Sequence, residues 1–270
     1  MKLSHLAEHA DGKILAGVQD RVGHLVINNP ERHNAVSLAM YEAAAEQVTV
    51  MSSDPDARLL VIRGGGNKAF ASGADISKFE KERSTEDEVA IYQAATARFY
   101  SAVCEFPKPT IAMIRGFCIG GGMGLAVACD IRLCEDKSRF AVPAAKLGLG
   151  YGYDGVRRLS HLVGPSMVKE IFFTARQFSA QEAYDMGLAN RVLPPHMLDA
   201  YVSDYAKRIS ENAPMTMASI KSITQEIAKE ESAQDLTRIA AEVKACFDSK
   251  DYIEGRRAFM EKRKPDFTGK

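Results

Sequence analysis

The apolar and polar positions of the first 65 residues predict strands that alternate with a helix. Two apolar runs flank Asp20, and a polar loop containing Pro30 follows them. Ser37 then precedes a stretch whose apolar residues recur at spacings of three and four, which predicts a helix capped by Ser37. A strand is predicted over residues 58–65. This part of the chain therefore forms a βαβ unit.

The same alternation continues through the middle of the chain. Ser84 is placed at the start of a long helix, and residues 109–117 and 131–142 are predicted as strands. Three glycines at 120–122 lie between these strands and run directly into an apolar, helix-like stretch. Strands that alternate with helices favour a layered α/β fold over a sandwich or a helical bundle.

The last third of the chain has a different pattern. Ser179 and Glu182 have the spacing of a helix capping box, and residues 198–261 are predicted to be mostly helical. We therefore expect an α/β core over residues 1–195 and a helical C-terminal region over 196–270. Helical extensions often pack on a neighbouring subunit, which favours an oligomer.

Composition narrows the functional class. Lys and Arg together number 35, as do Asp and Glu, so no basic excess would attract nucleic acid or an anionic membrane surface. The chain contains no apolar run long enough for a membrane span. Five cysteines form no CxxC pair, which favours reduced thiols in the cytoplasm and gives no indication of a metal site.

Six segments, taken in order, make the chain resemble a known family. They are NNPERHNAVS (28–37), AFASGADI (69–76), FPKPTIAMIRG (106–116), GFCIGGGMGLA (116–126), FTARQFSAQEAYDMGLANRVL (173–193) and DYIEGRRAFMEKRKPDF (251–267). Together they resemble the crotonase superfamily, also called the enoyl-CoA hydratase/isomerase family. The resemblance implies a spiral of repeated ββα units, acyl-CoA substrates, and C-terminal helices that build a homotrimer or a dimer of trimers. It implies no tightly bound cofactor, because coenzyme A arrives as part of the substrate.

The resemblance also assigns the glycine-rich segments a role. It implies that the backbone amides of Ala74 and Gly121 point at the thioester oxygen of the substrate. An enolate that forms beside a thioester places negative charge on that oxygen, and two fixed N–H donors stabilise this charge without reorganising. Gly121 would supply its donor from a helix N-terminus. Small residues are expected at both places because side chains would keep the backbone away from the thioester.

Contacts with coenzyme A follow from the resemblance and from charge. Asp75 and Ile76 adjoin the first donor, and Arg32 and Lys78 are candidates to meet the phosphates. The resemblance places Phe259 and Lys262 of the C-terminal region near the coenzyme A of the same or a neighbouring subunit. The candidate binding set thus consists of Arg32, Asp75, Ile76, Lys78, Phe259 and Lys262.

The chain departs from the hydratases of this family at two positions. Those enzymes use two glutamates to add water across a double bond, and the matching positions here are Gly124 and Ala144. We expect Gly124 and Ala144 to leave open space in the substrate pocket where the carboxylates would stand. Standard hydration is disfavoured, since a well-placed acid or base contributes about 10² to 10⁴ in rate.

Three residues on the following glycine-rich stretch are the remaining catalytic candidates: Tyr151, Tyr153 and Asp154. Tyr151 aligns with the tyrosine of the methylmalonyl-CoA decarboxylase branch, although the histidine that accompanies it there is replaced by Ala74. The sequence thus predicts an acyl-CoA lyase that works through a thioester enolate and decarboxylates a short malonyl-type acyl-CoA. The alternatives are an atypical hydratase or isomerase that uses Asp154 or a tyrosine, and a non-catalytic acyl-CoA-binding protein.

Overall fold

The computed structural model describes residues 6–75 and 84–270, and strands of two sheets lie at its centre. These strands are β1 (Ala7–His9), β2 (Ile14–Gln19), β3 (Val22–Ile27), β4 (Leu59–Gly64), β5 (Ala69–Ala71), β6 (Thr110–Ile114), β7 (Phe117–Ile119), β8 (Ile131–Glu135), β9 (Arg139–Ala141), β10 (Phe178–Ser179) and β11 (Arg191–Leu193). One sheet has seven strands in the order β1-β2-β3-β4-β6-β8-β11. The other has four strands in the order β10-β9-β7-β5.

The helices of the described residues connect these strands and then continue alone beyond β11. They are α1 (Leu38–Ser53), α2 (Glu86–Cys104), α3 (Gly121–Ala128), α4 (Tyr153–Thr174), α5 (Ala180–Asp185), α6 (Leu198–Ser210), α7 (Pro214–Ile227), α8 (Leu236–Asp248) and α9 (Lys250–Met260). The predicted α/β fold with C-terminal helices is therefore confirmed.

The two sheets are built by a repeating unit. In each of the pairs β4–β5, β6–β7 and β8–β9, the first strand joins the seven-stranded sheet and the second joins the four-stranded sheet. Each pair is followed by a helix, namely α2, α3 or α4. Equivalent strands are parallel, since β4 pairs with β6 and β6 with β8. The chain thus winds as a spiral of ββα units, as expected.

The two apolar runs on either side of Asp20 form a hairpin. β2 and β3 pair in antiparallel register from Gln19↔Val22 onward. Asp20 and Arg21 have φ values of 52° and 66°, the left-handed conformation that suits a two-residue turn between twisted strands. β3 then runs parallel to β4, so α1 is the crossover helix of the predicted βαβ unit.

Three local predictions need correction. The single strand expected over 109–117 is split into β6 and β7 because Gly116 turns the chain with φ 58°, where an added Cβ would lie 1.9 Å from the Lys68 carbonyl oxygen. The strand expected over 131–142 is likewise split into β8 and β9. The N-cap of α2 is Thr85, not Ser84, because Thr85 and Glu88 form a reciprocal capping box.

Apolar side chains pack on both faces of the seven-stranded sheet. The larger cluster lies between the sheets and helices α1 to α4, with Phe70, Phe99 and Phe140 fully enclosed. On the second face, Leu198 and Val202 of α6 pack with Leu59 and other sheet residues. The first helix after residue 195 therefore shares a core with the sheet. Among the described residues, no helix is long and apolar enough to span a membrane.

Candidate active site

The loop after β5 carries the first predicted donor, Ala74. The Val36 amide donates to the Gly73 carbonyl at 2.8 Å, and the Asp75 amide donates to the Val36 carbonyl at 3.1 Å. These two bonds form a parallel bridge between Val36 and Ala74 and use the groups on either side of the Ala74 amide. Within residues 6–75 and 84–270, the Ala74 amide donates to no backbone carbonyl.

Gly121, the second predicted donor, is the first residue of α3. Gly120 precedes it with φ 55° and ψ −116°, a conformation open to glycine, and the Gly120 amide donates to the Ala141 carbonyl at 2.8 Å. Because the first amides of a helix have no partner within the helix, the Gly121 N–H is left without an internal acceptor. No bond from it to a backbone carbonyl occurs in the described part of the chain.

The two donor segments touch each other. A Cβ at Gly73 would lie 3.1 Å from the Gly121 nitrogen, and one at Gly121 would lie 3.3 Å from the Gly73 Cα. A Cβ at Gly122 would approach the Ala71 carbonyl oxygen to 2.0 Å, which no side chain tolerates. Because residues 120–122 are glycines without side chains, the N-terminus of α3 packs directly on the loop that contains Ala74. The structure brings the two predicted donors together.

The space beside Gly124 is not open, and that expectation is wrong. Gly124 is buried, and a Cβ there would lie 3.1 Å from the Cε2 atom of Tyr100. Tyr100 belongs to α2, and its hydroxyl donates to the carbonyl oxygen of Gly121 at 2.7 Å. Tyr100 thus stands in the direction that a side chain at position 124 would take. The second position, Ala144, is buried in the 3₁₀-helix Pro143–Leu147.

Sequence reasoning missed a group of tyrosines around Gly121. A Cβ at Gly121 would lie 3.0 Å from the Tyr100 hydroxyl and 3.1 Å from that of Tyr41. Tyr41 packs edge-on against Tyr92 and Tyr100, with ring centroids 5.5 and 6.2 Å apart. Burial is the main cause that raises the pKa of both Tyr41 and Tyr100 well above the usual range for tyrosine. Their hydroxyls are therefore neutral at physiological pH.

Tyr151 lies beside the backbone that leads into the second predicted donor, and its catalytic role stays a prediction. Its hydroxyl makes a long hydrogen bond of 3.4 Å to the carbonyl oxygen of Gly120, which also accepts the Gly124 amide at 3.0 Å. The ring packs edge-on against Phe172 at 4.9 Å. Although 38% of Tyr151 is exposed, burial of its hydroxyl end is the main cause that raises its pKa to about 12. Tyr151 is thus a neutral hydroxyl group.

The other two candidates on this stretch lie farther out. Tyr153 begins α4 and is 78% exposed. Asp154 is an exposed residue in the first turn of the same helix. The described contacts connect neither residue to Ala74 or Gly121, so their catalytic assignment stays a prediction.

The described candidate residues for coenzyme A binding lie in two separate places. The backbone of Arg32 is next to the donor loop, since the Ser72 hydroxyl donates to the Arg32 carbonyl at 3.4 Å, and Asp75 is buried in that loop. Ile76 and Lys78 lie outside the described residues. Phe259 is 82% exposed near the end of α9, and Lys262 follows it with φ 54°. The binding role of all these residues remains predicted.

Comparison with known proteins agrees with this fold and with the motifs. A family model described as enoyl-CoA hydratase/isomerase matches residues 17–270. The crotonyl-CoA hydratase of Syntrophomonas wolfei is 32% identical over 257 residues, covering 95% of this chain and 98% of that protein. The carnitinyl-CoA dehydratase of Salmonella typhi is 32% identical over 259 residues, covering 92% and 98%.

A solved structure resembles the whole chain. The crystal structure of an enoyl-CoA hydratase/carnithine racemase from Magnetospirillum magneticum superposes with a TM-score of 0.89 at 34% identity and covers 96% of each chain. The fold and the paired glycine-rich segments define a crotonase-type α/β spiral. The chain belongs to the enoyl-CoA hydratase/isomerase family.

Proposed function

We propose that this protein decarboxylates a short malonyl-type acyl-CoA through a thioester enolate. One observation carries the proposal: the two touching segments present the amides of Ala74 and Gly121, for which the described residues supply no backbone acceptor, while Gly124 and Ala144 supply no carboxylate. The two segments therefore offer donors for an oxyanion, and positions 124 and 144 offer no base. The family, and relatives named for crotonyl-CoA and carnitinyl-CoA, support an acyl-CoA substrate.

Decarboxylation fits these groups because it needs no base. The bond between the α-carbon and the carboxylate breaks, CO₂ leaves, and the electron pair becomes the C=C bond of the enolate while the carbonyl oxygen takes the negative charge. The amides of Ala74 and Gly121 stabilise that oxygen. A proton from a hydroxyl group or water then adds to the α-carbon and restores the saturated thioester.

The tyrosines favour the same reaction. A glutamate at position 124 or 144 would repel the substrate carboxylate, whereas Tyr100 and Tyr151 are neutral because burial raises their pKa values. Tyr151 can hydrogen-bond the carboxylate without the strong ground-state attraction of a lysine, which would raise the barrier. Neither hydroxyl is ionised enough to act as a base at neutral pH.

Atypical hydration is the second candidate, because the relatives named above are a hydratase and a dehydratase. Asp154 would be the base in that case. The exposed first turn of α4 places Asp154 next to the loop of Tyr151. A non-catalytic acyl-CoA-binding protein is disfavoured because the described residues leave both donor amides without a backbone acceptor.

Assembly and location form part of the proposal. A groove of about 910 Å³ between α7, α8 and α9 is lined mostly by apolar side chains, including Ile220, Phe247 and Met260. Exposed apolar helices of this kind support a homotrimer or a dimer of trimers, with Phe259 and Lys262 brought near coenzyme A by the assembly. Five free cysteines support a reducing compartment such as the cytoplasm.

A two-substrate assay tests the proposed reaction. Purified protein is incubated separately with methylmalonyl-CoA and crotonyl-CoA, and the CoA products are measured by mass spectrometry. We expect propionyl-CoA from the first and little hydration of the second. Rapid hydration of crotonyl-CoA that is lost in Asp154→Asn would show that the decarboxylase assignment is wrong and that Asp154 is the base.

Replacing Tyr151 by Phe is expected to slow CO₂ release by roughly 10- to 100-fold. The reason is the loss of one hydrogen bond to a charged group, which contributes about 1.5–3 kcal/mol. Release of CO₂ from methylmalonyl-CoA is measured at saturating substrate. Tyr184→Phe, which removes a hydroxyl from the half-exposed surface of α5, is the matched control. Equal rates for the two variants would remove Tyr151 from the reaction.

A further inference from the structure

We propose that a chain of three tyrosines, the buried Tyr92 and Tyr41 and the partly buried Tyr100, ties the two donor segments together and sets their separation. This inference rests on the proposed function, since it takes Ala74 and Gly121 as the donors. It assigns the three tyrosines as positioning residues that act through the backbone and do not touch the substrate.

At one end of this chain of tyrosines, Tyr100 holds the segment that contains Gly121. The Tyr100 hydroxyl donates to the Gly121 carbonyl at 2.7 Å, and this carbonyl belongs to the peptide group that follows the predicted donor. The Tyr100 ring lies against Gly124 one turn later, at 3.1 Å from the position of an added Cβ. Tyr100 therefore fixes the first turn of α3 by a hydrogen bond and by contact.

At the other end of this chain of tyrosines, Tyr92 holds the segment that contains Ala74. The Tyr92 hydroxyl donates to the Val36 carbonyl at 3.1 Å. The same carbonyl accepts a hydrogen bond from the Asp75 amide, and the Val36 amide donates to the Gly73 carbonyl. Val36 therefore holds the backbone on both sides of Ala74 by hydrogen bonds. Tyr92 is thus bonded to the residue that orients the first donor.

Tyr41 joins the two ends. It is 2% exposed, its hydroxyl lies beside that of Tyr100, and its ring packs edge-on against Tyr92 with ring centroids 5.5 Å apart. Tyr92 and Tyr100 give their hydrogens to the Val36 and Gly121 carbonyls, so the one hydrogen of Tyr41 is donated to the Tyr100 hydroxyl. Tyr41 is therefore joined to Tyr100 by a hydrogen bond and to Tyr92 by ring packing, and a buried hydroxyl is costly to leave unpaired. Tyr41 belongs to α1, whereas Tyr92 and Tyr100 belong to α2. The packing of these two helices therefore sets the length of the chain of tyrosines.

Spacing along α2 supports this arrangement. Phe99 and Tyr100 follow Tyr92 by seven and eight residues, which places the three side chains on one face of the helix. Phe99 is fully enclosed and packs against both Tyr41 and Tyr100, with ring centroids about 6 Å apart. The face is therefore apolar at its centre and presents hydroxyls where it meets the two donor segments.

The test measures the polarisation of a bound thioester. Butyryl-CoA labelled with ¹³C at the thioester carbonyl has no carboxylate to lose, and its carbonyl stretch moves to lower frequency when the oxygen accepts hydrogen bonds. We compare wild type, Tyr41→Phe and Tyr100→Phe by infrared difference spectroscopy. Tyr201→Phe is the control, since Tyr201 stacks on Tyr205 and packs with the cluster on the second face of the sheet.

We expect each site variant to lose roughly half of the wild-type frequency shift, because one or both donors leave the line of the oxygen. Turnover of methylmalonyl-CoA should fall about 10-fold in kcat with KM changed less than about twofold. The control should keep the wild-type shift. A purely structural role would lower the melting temperature and leave the shift of the folded protein unchanged, which would overturn the inference.

The outcomes separate this inference from the proposed function. A wild-type protein that binds butyryl-CoA with no frequency shift would overturn the donors themselves. A normal wild-type shift that persists in both site variants would overturn the tyrosine chain alone. If Tyr41→Phe fails to fold, Tyr100→Phe decides the question, since Tyr100 is only partly buried.

Discussion

Gly121→Pro is expected to release CO₂ about 10² to 10³ times more slowly than Gly121→Ala. Proline lacks the N–H that would bind the thioester oxygen, and loss of one such donor costs about 2.7–4 kcal/mol of barrier. The backbone accepts the change because Gly121 is the first residue of α3, a position where proline is common in helices. Initial rates with methylmalonyl-CoA measure the effect.

Gly121→Ala is the matched control. Both variants add a Cβ close to the hydroxyls of Tyr41 and Tyr100, and proline in addition replaces the amide hydrogen by its ring Cδ. Their difference therefore measures the loss of the donor together with the ring atoms that take its place. Circular dichroism and the melting temperature show that both variants are folded. Similar rates for the two variants would mean that the Gly121 amide does not stabilise the transition state.

Gly124→Glu is expected to destabilise the protein, and adding Tyr100→Ala should relieve much of that loss. The new side chain would collide with the Tyr100 ring, and overpacking of this kind costs about 1–3 kcal/mol of folding free energy. Chemical denaturation of the two single variants and the double variant measures the interaction. Additive losses would mean that Tyr100 does not occupy the space of a side chain at position 124.

The double variant Gly124→Glu with Tyr100→Ala should also release CO₂ at least about 100-fold more slowly than Gly124→Gln with Tyr100→Ala. The two differ in charge and hardly in shape. A 100-fold loss is about 2.7 kcal/mol of barrier, within the ~4 kcal/mol repulsion of like charges 4 Å apart at an effective dielectric of 20. Equal rates would show that the substrate carboxylate does not approach this position.

Much of the architecture followed from the chain. The spacing of apolar residues predicted α1, and the two apolar runs around Asp20 predicted β2 and β3. The glycines at 120–122 predicted a turn into a helix whose backbone a thioester could approach, and the contacts of Gly73 with Gly121 show that their lack of a side chain also lets the two segments meet. These features could be predicted because each depends on local conformation or on one residue type with a steric consequence.

The occupant of the space beside Gly124 could not be predicted in the same way. Tyr100 precedes Gly124 by 24 residues and reaches it from a different helix, so the contact depends on how α2 packs on α3. Tyr41 fitted the apolar spacing of α1, and a tyrosine at such a position is normally part of the core. A buried tyrosine needs a hydroxyl partner, and that requirement is the signal that could have raised Tyr41 and Tyr100 as candidates.

The central claim is that the enolate forms by loss of CO₂ and without a base, and hydrogen exchange in D₂O tests it most directly. Methylmalonyl-CoA should give propionyl-CoA with one deuterium at the α-carbon, because the enolate takes one proton from the solvent pool. Unlabelled propionyl-CoA incubated with the same enzyme should keep its α-hydrogens over many turnover times. Exchange of those hydrogens at a rate comparable to turnover would reveal a base in the pocket and contradict the account.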